Sequence, residues 1–144
     1  MINREVLLVE DRQDDIDLTL RSFKDANVKN KINVVRDGAE ALDFIFARGQ
    51  YASRDIKDIP SVILLDIKLP KVDGLEVLQQ IRADERTKLI PVVILTSSGE
   101  ERDRFTCYKI GCNSYVRKPV SFPDFAKAIK ELGMYWLLLN EPPV

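Results

Sequence analysis

Three short apolar runs stand out along the chain: Val6-Leu7-Leu8-Val9, Val62-Ile63-Leu64-Leu65 and Val92-Val93-Ile94-Leu95. Each is too short for a helix and has no polar alternation, so each reads as a strand buried on both faces of a parallel sheet. The first strand spans Glu5 to Val9, the third ends at Asp66 and the fourth runs from Val92 to Thr96 after Pro91. Lys31 to Val35 is a more polar second strand, suited to a sheet edge, and Ser114-Tyr115-Val116 is a fifth. Between them the apolar spacing turns helical. Ile16, Leu20 and Phe23 share one face of a helix starting near Asp14, with Asp14 or Asp15 at its cap. Asp37-Gly38 opens a helix through Leu42, Ile45 and Phe46, and Asp73-Gly74 opens one through Leu75, Leu78 and Ile81. A fourth helix holds Phe105 and Tyr108 and is capped by Gly111. The last carries Phe122, Phe125, Ala126, Ile129, Leu132 and Trp136. Arg48 to Ile59 reads as a long surface loop. Strands alternating with helices predict an α/β fold: a single doubly wound, five-stranded parallel sheet with five helices, filling residues 1–144 as one domain.

Composition narrows the function more than the fold. With 22 Lys and Arg against 23 Asp and Glu, the net charge of -1 gives no global attraction to nucleic acid or anionic lipid. No segment has the apolar length to span a bilayer, and Met1 to Arg4 lead into a strand rather than a signal peptide, so the expected location is cytoplasmic. The chain has no histidine, which removes Ser-His and Cys-His triads and any imidazole base. A phosphohistidine would therefore have to come from another protein. Cys107 and Cys112 are expected to be buried small hydrophobes, because two thiols without histidine make a poor zinc site.

In a parallel sheet all strand carboxyl ends meet one edge, where open α/β sheets bind their ligands. That edge receives Glu10 and Asp11 from strand one, Asp66 from strand three, Thr96 from strand four and Lys118 from strand five. Each has an ordinary explanation alone: a strand-end Asp is commonly a turn or cap residue, and a lone Lys is usually solvated. Together they need a joint one. Two like charges at about 4 Å repel by about 4 kcal/mol at an effective dielectric of ~20, so three carboxylates require counterions. Lys118 offers one positive charge. A divalent cation with a preference for hard oxygen ligands, magnesium above all, offers the rest.

The segments carrying these residues resemble those of the response regulator receiver family. Val9-Glu10-Asp11 is similar to its acidic pair, Leu65-Asp66 with Pro70 and Asp73-Gly74 to its phosphoacceptor segment, Leu95-Thr96-Ser97-Ser98 to its switch threonine, and Tyr115-Val116-Arg117-Lys118-Pro119 to its aromatic–Lys–Pro signature. The resemblance spans nearly the whole chain. It implies a flavodoxin-like receiver fold and a phosphoacceptor signalling protein of two-component systems rather than a conventional enzyme. Asp66 would take a phosphoryl group from a histidine kinase, and Mg2+ would be held by Asp11, Asp66 and the backbone carbonyl of Lys68, and through water by Glu10. Lys118 and Thr96 would hold the phosphate oxygens, a cis Lys118–Pro119 bond would aim the ammonium inward, and Tyr115 would turn toward the space Thr96 vacates. The loop after the second helix and the aromatic-rich C-terminus further resemble stand-alone regulators paired with phytochrome-type histidine kinases.

Two other functions use the same sheet. A flavin or nucleotide binder needs loops rich in free amides, whereas these are acidic, and neither a dinucleotide nor a P-loop pattern occurs. A degenerate receiver serving only as an interaction module should have lost one of Asp11, Asp66, Thr96 and Lys118, and all four are present. No helix-turn-helix or basic stripe follows the last helix, so output is expected through a downstream protein target or onward relay to a phosphotransfer protein. From Met134 to Leu139 the chain is apolar all round. This short extension is expected to leave an exposed patch that forms a homodimer or docks a kinase, together with Phe105, Tyr108, Tyr115 and Phe125.

Overall fold

The computed structural model describes residues 5–143. Met1 to Arg4, expected to lead into the first strand, lie outside them, as does Val144. Along the chain run β1 (Val6–Val9), α1 (Gln13–Asp25), β2 (Ile32–Val35), α2 (Gly38–Ile45), a 3-10 turn (Gly49–Tyr51), β3 (Val62–Leu65) and α3 (Gly74–Ala83). Then come β4 (Val92–Thr96), α4 (Glu101–Ile110), β5 (Ser114–Arg117) and α5 (Phe122–Gly133). The strands form one parallel sheet in the order β2-β1-β3-β4-β5, so the polar β2 is indeed an edge.

Residues of alternating parity supply the two cores, as the period of a strand demands. Leu7, Val9, Ile63, Leu65, Val92 and Ile94 face α2, α3 and α4, meeting Leu42, Ile45, Val77, Leu78, Ile81 and the two cysteines. Val6, Leu8, Val62, Leu64, Val93 and Leu95 face α1 and α5, meeting Phe23, Phe125 and Ile129. Burial on both faces explains why the three central strands are continuously apolar. Both cysteines are buried and unbridged, as expected, and burial pushes the Cys107 thiol up to about 12, an inert value.

Three helices start at side-chain caps, two of them at the Asp37 and Asp73 expected from the sequence. Asp37 accepts from the Glu40 amide at 2.7 Å, Asp73 from Glu76 at 3.0 Å and Ser121 from Asp124 at 3.2 Å. α1 differs: it starts before Asp14, its N-cap is Arg12, and no side chain caps it. Asp15 lies in its first turn, but that carboxylate is engaged by Lys118 instead. The loop from Arg48 to Ile59 is pinned down more than its composition suggests. Tyr51 donates to Glu40 at 2.7 Å and packs edge-on against Phe44, over whose ring the Arg54 guanidinium lies 3.9 Å from the centroid. Burial, with the Glu40 hydrogen bond, pushes the Tyr51 hydroxyl up to about 12.

The C-terminal extension divides its apolar residues between core and surface, leaving part of it exposed as expected. α5 runs on without a break, because Gly133 keeps helical dihedrals (φ -61°, ψ -45°), into a π-helical segment, Met134–Leu139. The extra residue per turn brings the consecutive Trp136 and Leu137 onto the α1/α5 core. Met134, Tyr135, Leu138 and Leu139 stay exposed, as do Phe105, Tyr108 and Phe122. Among the described residues, no helix is long and apolar enough to cross a membrane.

Candidate functional site

Register brings the acidic residues together. Val9 pairs with both Val35 and Leu65, so one residue further on Glu10 and Asp66 emerge side by side from adjacent strands. The Asp66 amide still donates to the Val9 carbonyl at 3.2 Å, fixing its level. On the other side Thr96 pairs with Arg117, and the Lys118 amide donates to the Thr96 carbonyl at 2.7 Å. Behind Asp66 the first turn of α3 comes so close that a Cβ on Gly74 would sit 2.1 Å from the Asp66 carbonyl oxygen. The strand end, the loop and α3 are thus packed backbone to backbone.

The centre of the site is the Lys118 ammonium. It donates to Glu10 Oε1 at 2.5 Å, Asp15 Oδ2 at 2.9 Å and Asp66 Oδ2 at 3.1 Å, using all three N–H bonds. Lys118, Glu10 and Asp66 are all buried, and so is Thr96. Burial alone would lower the lysine pKa, but Asp66, Glu10 and Asp15 together raise it above the ordinary range, so the ammonium stays charged. Glu10 is raised by burial despite Lys118 pulling it down. Ligand oxygens of Glu10, Asp11 and Asp66 lie within 4.8 Å of one another, a spacing that one hard cation can bridge.

Asp66 Oδ1 is the informative atom. Among the described residues it is a buried side-chain oxygen without a hydrogen-bond partner. Such a group costs about 1–3 kcal/mol and calls for a reason, and a carboxylate oxygen kept free for an incoming cation or electrophile is one. The donor set therefore fits a divalent cation. A cleft of about 410 Å³ opens beside Asp11, lined also by Ile67, Lys68, Pro70, Asp73 and Asp103.

The structure brings together every residue the sequence assigned to the edge, and it revises one detail. No cis peptide bond occurs among the described residues, so the expected cis Lys118–Pro119 bond is absent. The ammonium faces inward regardless, drawn by three carboxylates. Tyr115 is half-buried and donates its hydroxyl to the Ser98 carbonyl at 3.0 Å. The same Ser98 gives its amide to Thr96 Oγ1 at 3.3 Å and its hydroxyl to Asp103 Oδ2 at 2.6 Å. Thr96, Tyr115 and the first turn of α4 are thus joined through one residue.

Two contributors escaped the sequence reading. Asp15 looked like a cap residue. No local pattern singles it out, because Asp14 beside it is equally acidic and the packing of α1 decides which carboxylate reaches Lys118. Asp103 lay in a stretch of charges, and only its burial marks it out.

A receiver-type sheet with a buried lysine among strand-end carboxylates is the signature of a phosphoacceptor protein. The response regulator receiver domain model matches residues 6–130, and the chain belongs to the response regulator receiver family of two-component signal transduction. It is 36% identical over 132 residues to response regulator Rcp1 of Synechocystis, covering 92% of this chain and 88% of Rcp1. The Mn2+-bound crystal structure of Rcp1 superposes with a TM-score of 0.91 at 34% identity over 98% of this chain and 99% of that one. The phosphorylated cyanobacterial phytochrome response regulator RcpA also gives 0.91, at 35% identity and 99% coverage of both chains. The bacteriophytochrome response regulator AtBRR is 51% identical, with a TM-score of 0.75 over 96% of this chain and 98% of its own.

Proposed function

We propose that Asp66 is the phosphoacceptor of this response regulator and that Glu10, Asp11, Thr96, Lys68 and Lys118 serve it. The observation that carries the reading is the unpartnered, buried Asp66 Oδ1 beside a charged Lys118. The Asp66 carboxylate attacks the phosphorus of a phosphohistidine on a sensor kinase. The O–P bond forms, the P–N bond breaks, and the imidazole leaves with the electron pair. The chain thus catalyses its own phosphorylation by positioning and charge. Asp11, Asp66 and the Lys68 backbone carbonyl, with Glu10 beside them, would hold Mg2+, which would neutralise charge on the phosphoryl oxygens. That Rcp1 has a Mn2+-bound form, together with the acidic cluster here, supports a divalent ion for this chain. Lys118 pairs with one phosphoryl oxygen, and Thr96 donates its hydroxyl to another.

With Thr96 and Tyr115 both held to Ser98, a pull on Thr96 reaches α4 and β5, the surface that carries Phe105 and Tyr108. The resemblance to RcpA and AtBRR supports a phytochrome-type kinase as the partner. A downstream protein or phosphotransfer protein receives the signal.

The metal site is tested by thermal unfolding in millimolar Mg2+. A cation that binds only the folded chain raises Tm by mass action. The wild type is expected to gain several degrees and Asp11→Ala little, because Asp11 is the most accessible of the three carboxylates. An equal gain in both rejects the site.

The half-exposed extension supports a homodimer. Truncation would also strip Trp136 and Leu137 from the core, so the informative variant is Leu138→Ser with Leu139→Ser. Light scattering with and without an acyl-phosphate donor should show a dimer for the wild type and a monomer for the variant. Monomers throughout, at high micromolar concentration, reject the dimer.

A further inference from the structure

The ammonium of Lys118 has three carboxylate partners, and the phosphorylation read above claims two of them. Glu10 belongs to the group of three carboxylates spaced to share a cation, and Asp66 becomes an acyl phosphate. Once both are occupied, the hydrogen bonds of 2.5 and 3.1 Å that hold Lys118 in the resting chain are weakened or lost. Asp15 is the exception. It lies outside the cation-spaced cluster, and its 2.9 Å bond to Lys118 needs nothing from either group.

Asp15 is also well placed to hold on. It sits in the first turn of α1, between the helix cap and Ile16, whose side chain is buried against the sheet. The Thr19 hydroxyl donates to the Asp15 carbonyl at 2.7 Å, bracing that turn. The Asp15 side chain is only 17% exposed. Its other cationic neighbour, Arg12, lies 3.9 Å away on a side chain 64% exposed, too distant for a hydrogen bond and too solvated to compete.

We propose that Asp15 is a positioning residue for phosphoryl transfer, the pivot that keeps the Lys118 ammonium in the site while it passes from the Asp66 carboxylate to the phosphoryl group. A lysine side chain has much rotamer freedom, and a partner on a rigid helix removes part of it before the reaction begins. Asp15 touches neither phosphate nor cation. It acts through Lys118 alone. The proposal rests on Asp66 being the phosphoacceptor.

The experiment compares wild type, Asp15→Asn and Asp15→Ala, with Asp66→Asn as the control for the underlying reading. Intact mass follows phosphorylation by a small acyl-phosphate donor in Mg2+. Lysine-selective 15N NMR follows the Lys118 ammonium in Mg2+ with beryllium fluoride as the phosphoryl mimic. Asp15→Ala is expected to be phosphorylated about tenfold more slowly than wild type. It should lose the slowly exchanging Lys118 ammonium signal while keeping the Mg2+-induced rise in Tm. Asp15→Asn, which retains an acceptor oxygen, should fall between. A normal rate and an intact ammonium signal in Asp15→Ala overturn the pivot, even if Tm drops, since a drop in Tm alone is what a merely structural residue gives. A faster rate overturns it too, showing that Asp15 acts by repelling the donor. Phosphorylation of Asp66→Asn at the wild-type level instead overturns the underlying reading.

Discussion

Asp66→Asn is expected to take up no phosphoryl group from an acyl-phosphate donor or a kinase, and to stay folded. The carboxamide keeps the size of the side chain and an acceptor oxygen for Lys118, but it has no anionic oxygen with which to attack phosphorus. Removing one of the negative charges crowded around a single ammonium also relieves repulsion, so Tm should hold or rise. Intact mass is the decisive measurement. The wild type should shift by one phosphoryl group per chain and the variant by none. A shift in the variant equal to that of wild type means that the acceptor is elsewhere.

Lys118→Met is expected to have the largest effect on stability. The ammonium is the common counterion of Glu10, Asp15 and Asp66, and methionine leaves those carboxylates facing one another in a buried pocket. Breaking a buried ion pair costs about 3–5 kcal/mol because the remaining charge is uncompensated. The sign of the pH dependence follows from Glu10. Burial already raises its pKa above 4.5 in the folded chain, and losing the lysine raises it further. The folded state then binds the proton more tightly than the unfolded one, so the variant gains stability as pH falls through the raised value toward 4.5. Wild type gains less over the same interval, since Lys118 holds Glu10 down. Urea midpoints at neutral and mildly acidic pH, each with and without Mg2+, check this. The deficit should shrink on acidification and on adding the cation. A deficit independent of both points to lost packing rather than uncompensated charge.

The sheet was readable because burial on both faces leaves a strand no polar positions, and Val62 to Leu65 and Val92 to Leu95 have none. The acidic edge followed from topology, since parallel strands deliver their next residues to one line whatever the helices do. What could not be read depended on where side chains turn after the helices pack. Asp15 and Asp14 are equally acidic neighbours in one turn, and only the rotation of α1 against the sheet decides which reaches Lys118. The Ser98 junction needs α4 to bring Asp103 within 2.6 Å, which no local pattern announces. In the extension, α-helical periodicity predicted a single buried stripe, whereas the wider π turn buries two consecutive residues.

That π turn has an optical consequence. Trp136 is the chain's one tryptophan, so the indole fluorescence of the protein comes from a single site. It is 9% exposed among the side chains between α1 and α5, with the Tyr135 ring edge-on at 5.1 Å. Tyr115 packs against the other face of the sheet. Emission at the red edge of excitation therefore monitors whether the extension is seated, and a red shift marks its release into water, with no contribution from Tyr115.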